Sequence, residues 1–346
     1  MKIGMFTDTY LPSINGISIS IDILQKELTK LGHHVDIITK ESDVIHLDYD
    51  VVHIYTGSSL GKMAKNVAIK KGIPVVFTEY HFVHEMDKED NFIATLLSKV
   101  TKKKYINDFL NSVDYIIYPT YKSFKQNSDP LFRQKSQVIP TGIYLEQYRK
   151  INFKDKEIKG LRNALGIHKK DFVMIYVGEI TKEKHVDILI DEFSQLKTDI
   201  TDIKLLLIGD GKDREFLMKK VDELNISEDV IFTGEIPHIE LPKYIHTSDL
   251  FVSFDDSNYS RLSYLEALAC GVPLLVLEND LHDILIPHFN GLSFMDSSDF
   301  KETFDLLTRN KVKFLEISSN ASKSLEKFSA KNYAYRVLEV YKRVLD

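Results

Sequence analysis

Two short stretches hold most of the side chains able to do chemistry. One is Gly178-Glu179-Ile180-Thr181-Lys182-Glu183-Lys184-His185; the other, Ser253–Pro273, contains Asn258, Arg261, Leu262 and Glu266. Cations of this kind form charge-assisted hydrogen bonds to phosphate oxygens, and carboxylates accept hydrogen bonds from hydroxyls. A third stretch, Phe6–Gly16, reads as a strand, a loop and a helix start. Gly16 lets the backbone approach a ligand, and the free amides of the following helix favour an anion. The same residues would also serve as a plain strand-to-helix connection. Gly209 and Gly211 form a second such turn but lack the third glycine of a dinucleotide fingerprint. His81, within Thr78–Glu85, suits either a hydrogen bond to a hydroxyl or a loop cap. The histidines and acids show no metal-ligand spacing, so no metal is expected.

The elements that must position these groups alternate between short apolar runs and helical stretches, the pattern of parallel βαβ units. The first series predicts strands at Lys2–Phe6, Val35–Ile38, Val51–Ile54, Val75–Phe77, Tyr115–Tyr118 and Val138–Ile139. The second predicts them at Phe172–Val177, Lys204–Ile208, Val230–Thr233, Leu250–Val252 and Leu274–Val276. Continuous Val/Ile/Leu/Phe runs fit strands buried on both faces. The charge-rich stretch 147–159 separates the series and reads as a linker. The expected organisation is an N-terminal Rossmann-like α/β domain over 1–146 and a C-terminal one over 160–329. A final amphipathic helix, 330–346, carries Tyr333, Val337, Val340, Tyr341 and Val344 on one face. Two such α/β domains are expected to place a ligand in a central cleft at the carboxyl ends of their strands.

The 346 residues exceed a typical single domain of about 100–200 residues. A net charge of -6 argues against nucleic acid as a partner. The lone cysteine, Cys270, has no partner for an internal disulfide, which fits a reducing compartment. Residues 1–12 lack the basic and apolar regions of a signal peptide, and no run reaches the roughly 18 apolar residues of a membrane span. A cytoplasmic protein, at most peripheral to the inner face of the membrane, is therefore expected. In 96–110, Lys99, Lys102, Lys103 and Lys104 lie beside Leu96, Leu97, Val100, Tyr105, Ile106, Phe109 and Leu110. Such a helix either touches an anionic bilayer or packs on its own sheet with a solvated basic face.

Taken together, the segments resemble the retaining, two-domain glycosyltransferases of family 4. That family's donor signature is Glu, seven residues, Glu, with the second Glu opening Glu-Ala-x-Ala-x-Gly-x-Pro. The second half is intact as Glu266-Ala267-Leu268-Ala269-Cys270-Gly271-Val272-Pro273, whereas Asn258 holds the place of the first Glu and Arg261 that of a family glycine. The FTDTYLP start resembles the bacterial enzymes that glucosylate diacylglycerol, where the loop glycine, here Gly16, lies near the donor diphosphate. Ser59-Leu60-Gly61 and Thr78–Glu85 match the same enzymes in order, with His81 at the histidine bordering sugar and acceptor. Gly57 and His84 depart from the Glu and Tyr usual there. Ile139–Ile143 resembles the hinge that ends the first domain, with Tyr144 in place of an Asp. Thr233–Pro237 matches the segment whose backbone reads the base.

The resemblance implies the GT-B fold: two Rossmann-like α/β domains facing a cleft, 1–146 for the acceptor with helix 330–346 packing back on it and 160–329 for the nucleotide-sugar, no cofactor, and a sugar nucleotide such as a UDP-hexose as donor. It assigns Lys184 to the diphosphate, Glu266 to the ribose, and His81 and Asn258 to the sugar, with Leu262 beside the donor. Glu179 occupies the position of the family's second phosphate-binding cation, and a carboxylate there repels a diphosphate. Two arrangements are open. Arg261 either pairs with Glu179 and fills the phosphate pocket, or reaches in as the replacement cation. The first implies a non-catalytic partner subunit of another glycosyltransferase. The second implies a hexosyltransferase acting with retention on a lipid or cell-surface acceptor.

Overall fold

The computed structural model describes residues 1–12, 15–46, 48–80, 106–127, 132–149, 153–256, 261–281 and 284–346. It divides into two compact units: Met1–Ile143 with Phe328–Asp346, and Tyr144–Ser257 with Arg261–Lys327.

The first unit is built on a six-stranded sheet in the order β2-β1-β3-β4-β5-β6. Its strands are β1 (Lys2–Phe6), β2 (His34–Ile38), β3 (Val51–Ile54), β4 (Val75–Thr78), β5 (Tyr115–Tyr118) and β6 (Ser136–Val138), and all pairings are parallel. Its helices include α1 (Gly16–Lys30), α2 (Ser59–Lys70), α3 (described over 106–111) and α4 (Tyr121–Asn127). Asn15 starts α1 by accepting from the amides of Ile17 and Ser18 at 3.0 and 2.9 Å, which satisfies two donors that no helical carbonyl can reach.

The second unit carries a parallel sheet in the order β12-β11-β10-β7-β8-β9. Its strands are β7 (Phe172–Val177), β8 (Ile203–Ile208), β9 (Val230–Gly234), β10 (Leu250–Ser253), β11 (Leu274–Leu277) and β12 (Gly291–Phe294). The helices that follow are α6 (Val186–Asp199), α7 (Arg214–Glu223), α8 (Leu241–Ile245), α9 (Leu262–Ala269), α10 (Ser297–Thr308) and α11 (Lys311–Ala321). The core is apolar from β7 to α11, including Met174, Leu205, Phe193, Phe294 and Phe300.

The stretch 147–159 differs from the expected linker. Leu145–Tyr148 is a helical turn, and α5 (Asp155–Ala164) is an amphipathic helix. Both belong to the second unit, where Tyr148 and Ile158 are buried while the described charges of the stretch face out.

The last helix, α12 (Ala330–Leu345), belongs to the first unit and packs on α1. Its tyrosines enter a buried polar network. Tyr333 Oη lies 2.9 Å from Ser20 Oγ, and Tyr80 donates to the same Ser20 oxygen at 2.7 Å. Tyr341 Oη lies 2.6 Å from His53 Nδ1, and Thr78 Oγ1 lies 2.7 Å from His53 Nε2. The Ile139–Ile143 turn is the docking point for this helix. Ile143 donates to the Phe328 carbonyl at 2.9 Å and accepts from the Ala330 amide at 2.8 Å. A Cβ on Gly142 would stand 2.6 Å from Tyr333 Cβ, so only glycine permits this approach.

Burial pushes the His53 pKa down to about 3, so the folded protein holds it neutral. An unfolded histidine titrates near 6.5, so the stability contributed by this neutral state is fully present above that value. It is lost as pH falls toward 3. Urea unfolding should therefore show wild type losing about 1.4 kcal/mol more than His53→Gln between pH 7.5 and pH 5.5. Equal losses in the two proteins would contradict a neutral His53.

Candidate functional site

The residues of interest in the second unit gather where its parallel strands end. The backbone there is tied directly from loop to loop. Gly178 donates to the Ile208 carbonyl at 3.0 Å, Ile180 to that of Asp210 at 2.9 Å, and Gly209 to that of Gly234 at 3.0 Å. These bonds join the loops after β7, β8 and β9 at a spacing that side chains could not occupy. A Cβ on Gly209, whose φ is +129°, would fall 2.0 Å from the Gly178 carbonyl oxygen.

On this frame the loop after β7 presents Glu179 and Lys184. The Glu179 carbonyl accepts from the Tyr176 hydroxyl at 3.0 Å. Lys184 closes a helical turn, and His185, in the left-handed region at φ 52°, redirects the chain into α6. Lys184 Nζ lies 2.8 Å from Asp255 Oδ2, with both side chains more than four-fifths buried. His185 Nε2 lies 3.5 Å from Asp256 Oδ1. The loops after β7 and β10 are thus joined by opposite charges. Asp255 is held in turn by its own amide, which donates to Ser253 Oγ at 3.1 Å.

Arg261 immediately precedes α9 and is buried. Its guanidinium carbon sits 5.2 Å from the centre of the Tyr264 ring, and Nη1 donates to the Tyr264 hydroxyl at 3.3 Å. Among the described residues Arg261 forms no ion pair with Glu179. Burial raises the Tyr264 pKa, against the opposing pull of the Arg261 charge, so the phenol stays neutral. Leu262 begins α9 and packs inward.

Glu266, one turn further on, is 2 % exposed. Its Oε1 accepts from the Tyr148 hydroxyl at 2.8 Å and lies 2.6 Å from His238 Nε2. Burial works against a charged His238, but the hydrogen bond and charge of Glu266 outweigh it and raise the imidazole pKa. Burial and the Glu266 charge raise the Tyr148 pKa.

Of the residues singled out from sequence, Glu179, Lys184, Arg261, Leu262 and Glu266 all belong to this unit. Gly16 stands at the start of α1 in the first unit. His81 and Asn258 lie outside the described residues, as does most of 96–110. Sequence reasoning missed Tyr148, His238, Asp255 and Tyr264. Asp255 and Tyr264 were inside the quoted donor segment, whereas Tyr148 was hidden in what read as a polar connection. Among the described residues no group of histidines, cysteines and acids could hold a metal.

Comparison with known proteins shows what these features are similar to. Residues 157–324 match the family described as Glycosyl transferases group 1. The alpha-monoglucosyldiacylglycerol synthase of Acholeplasma laidlawii is 27% identical over 393 aligned positions, covering 100% of this chain and 98% of that protein. The synthase of the same name from Streptococcus pneumoniae is 28% identical, covering 99% of this chain and 85% of that one. Among solved structures, Anabaena HepE in complex with UDP and glucose superposes with a TM-score of 0.80 at 15% identity, covering 99% of this chain and 100% of that one.

The close approach at the strand ends makes a stability prediction. Gly209→Ala should destabilise the second unit by about 2 kcal/mol or more, because its methyl group meets a backbone carbonyl that cannot move aside. Gly160→Ala, within α5 and with no atom in reach of the added Cβ, should be neutral or stabilising by up to about 1 kcal/mol. Thermal unfolding of both variants checks the contrast.

Proposed function

We propose that the chain, which matches the glycosyl transferases group 1 family over 157–324 and is similar along its length to alpha-monoglucosyldiacylglycerol synthases, is a glycosyltransferase of family 4 and GT-B fold that transfers a hexose from a UDP-sugar to a lipid acceptor with retention. The full-length homology to two diacylglycerol glucosyltransferases is the observation that carries this reading. Diacylglycerol or a related membrane lipid is then the acceptor. No helix among the described residues is long and apolar enough to cross a membrane, so contact with the bilayer is assigned to a peripheral surface.

In this reading Lys184 neutralises the leaving diphosphate and Arg261 supplies the second cation, reached by rotation away from Tyr264. The acceptor oxygen bonds to the anomeric carbon on the face from which the diphosphate departs. Its proton passes to the departing phosphate oxygen. Positive charge beside that oxygen lowers the barrier because it meets charge that grows as the bond breaks. Glu266 accepts from the ribose, Gly16 and Leu262 border the donor, and His81 and Asn258 contact the sugar.

Three observations favour a second reading, a non-catalytic partner of another glycosyltransferase. Lys184 is already neutralised by Asp255, Arg261 lies on a tyrosine, and Glu179 occupies the place of a phosphate-binding arginine.

Calorimetric titration with UDP, UDP-glucose and UDP-galactose separates the readings. Saturable binding of one sugar nucleotide, followed by radiolabel transfer into diacylglycerol vesicles, is the expected result; silence toward all three from folded protein favours the partner subunit. Asp255→Asn should tighten UDP binding by releasing Lys184, and Lys184→Met should weaken it about tenfold or more, the loss of one charge-assisted contact. Arg261→Gly should weaken UDP binding if Arg261 is the replacement clamp. If Arg261 instead plugs the site, Arg261→Gly combined with Glu179→Arg should create or strengthen binding.

A further inference from the structure

Glu266 is a buried carboxylate whose two oxygens are treated differently. Oε1 is surrounded: the Tyr148 hydroxyl stands at 2.8 Å, His238 Nε2 at 2.6 Å, and these two partners lie 3.4 Å from one another. Oε2 has no hydrogen bond within the described residues. A carboxylate brought into the interior requires donors, and here both donors converge on one oxygen.

The donors are themselves fixed. Tyr148 is 2 % exposed, and the turn Leu145–Tyr148 that carries it packs on α9. Its carbonyl accepts from His246 Nε2 at 2.8 Å, and the His246 ring lies 5.3 Å from that of Phe153. Tyr148 is thereby held at both its hydroxyl and its carbonyl. His238 comes from the turn before α8, a separate part of the chain. Two unrelated segments thus set the rotation of one side chain.

We infer that Tyr148 and His238 are positioning residues that engage Oε1 of Glu266 so that Oε2 faces the ribose hydroxyls of a bound nucleotide. The inference rests on the donor-site reading given above and deepens it by assigning the discrimination between ribose and deoxyribose. Neither residue is placed on the donor itself. They act through Glu266, whose free oxygen accepts from a hydroxyl of a ribose and has nothing to accept from in a dideoxyribose. A nucleotide lacking those hydroxyls leaves the carboxylate oxygen desolvated and unpaired, which is the source of the preference.

The test compares the dissociation constants of UDP and 2′,3′-dideoxy-UDP by calorimetry. Wild type should prefer UDP by about tenfold or more, one hydrogen bond to a charged group. Tyr148→Phe combined with His238→Leu should reduce that preference to about threefold or less while leaving dideoxy-UDP binding nearly unchanged. Tyr148→Phe alone should give an intermediate ratio, and His238→Gln, which retains a donor, should keep most of the preference. A merely structural role would weaken both nucleotides together and leave their ratio intact. A folded double variant with the full wild-type ratio overturns the positioning role but spares Glu266 as ribose ligand. Equal affinities in wild type, or no binding of either nucleotide, overturn the ribose reading and the inference with it. If the double variant fails to fold, the same ratio measured in Tyr148→Phe and His238→Gln decides, because a wild-type ratio in Tyr148→Phe would count against the inference.

Discussion

A buried carboxylate dictates much of the second unit's organisation. Glu266 sits on α9 with almost none of its surface in water, and a charge in that place persists only where donors compensate it. Tyr148 and His238 supply them from the segment that enters the unit and from the turn before α8. The entry segment therefore has a fixed seat instead of a free path, and α5, which follows it, packs on α8. One acidic side chain thus draws together elements that are far apart in the sequence.

The strand ends impose a second kind of constraint. Backbone groups of Gly178, Ile180 and Gly209 bond across loops at distances that exclude side chains. With the loops this close, Lys184 and Asp255 face each other while largely shielded from water. An ion pair shielded in this way is only weakly screened by salt. The same shielding gives any incoming anion a strong field once Asp255 yields its place. Arg261 lies over Tyr264, whose aromatic face attracts a guanidinium.

Much of the fold was legible in the sequence because parallel strands buried on both faces are continuous apolar runs. Phe172–Val177 and Tyr115–Tyr118 coincide with the structure, and Val138–Ile139 shifted to Ser136–Val138. The stretch 147–159 misled because its polar residues dominate composition, whereas its anchors, Tyr148 and Ile158, are isolated and obey no strand period. At the site, residue types and order were enough to single out Lys184, Glu179, Arg261 and Glu266. Their partners were not legible. Asp255, Tyr264, Tyr148 and His238 matter through distances, and Tyr148 lies more than a hundred positions from Glu266, which no local pattern encodes. The suggested Arg261–Glu179 pair was reasonable from charge alone; the nearby Tyr264 ring, invisible in a charge count, takes the guanidinium instead.

The allocation of α12 to the first unit has a consequence for how the chain is made. That unit opens with β1, yet its helix α1 and its buried His53 obtain Tyr333 and Tyr341 only from α12, which follows the whole second unit in sequence. The second unit, by contrast, is complete in sequence before α12 begins. During synthesis on a ribosome the domain that emerges first must wait, its polar interior incomplete, while the later one can already close. The order of emergence and the order of completion are reversed, and a chain interrupted before α12 would leave the earlier unit without Tyr333 and Tyr341.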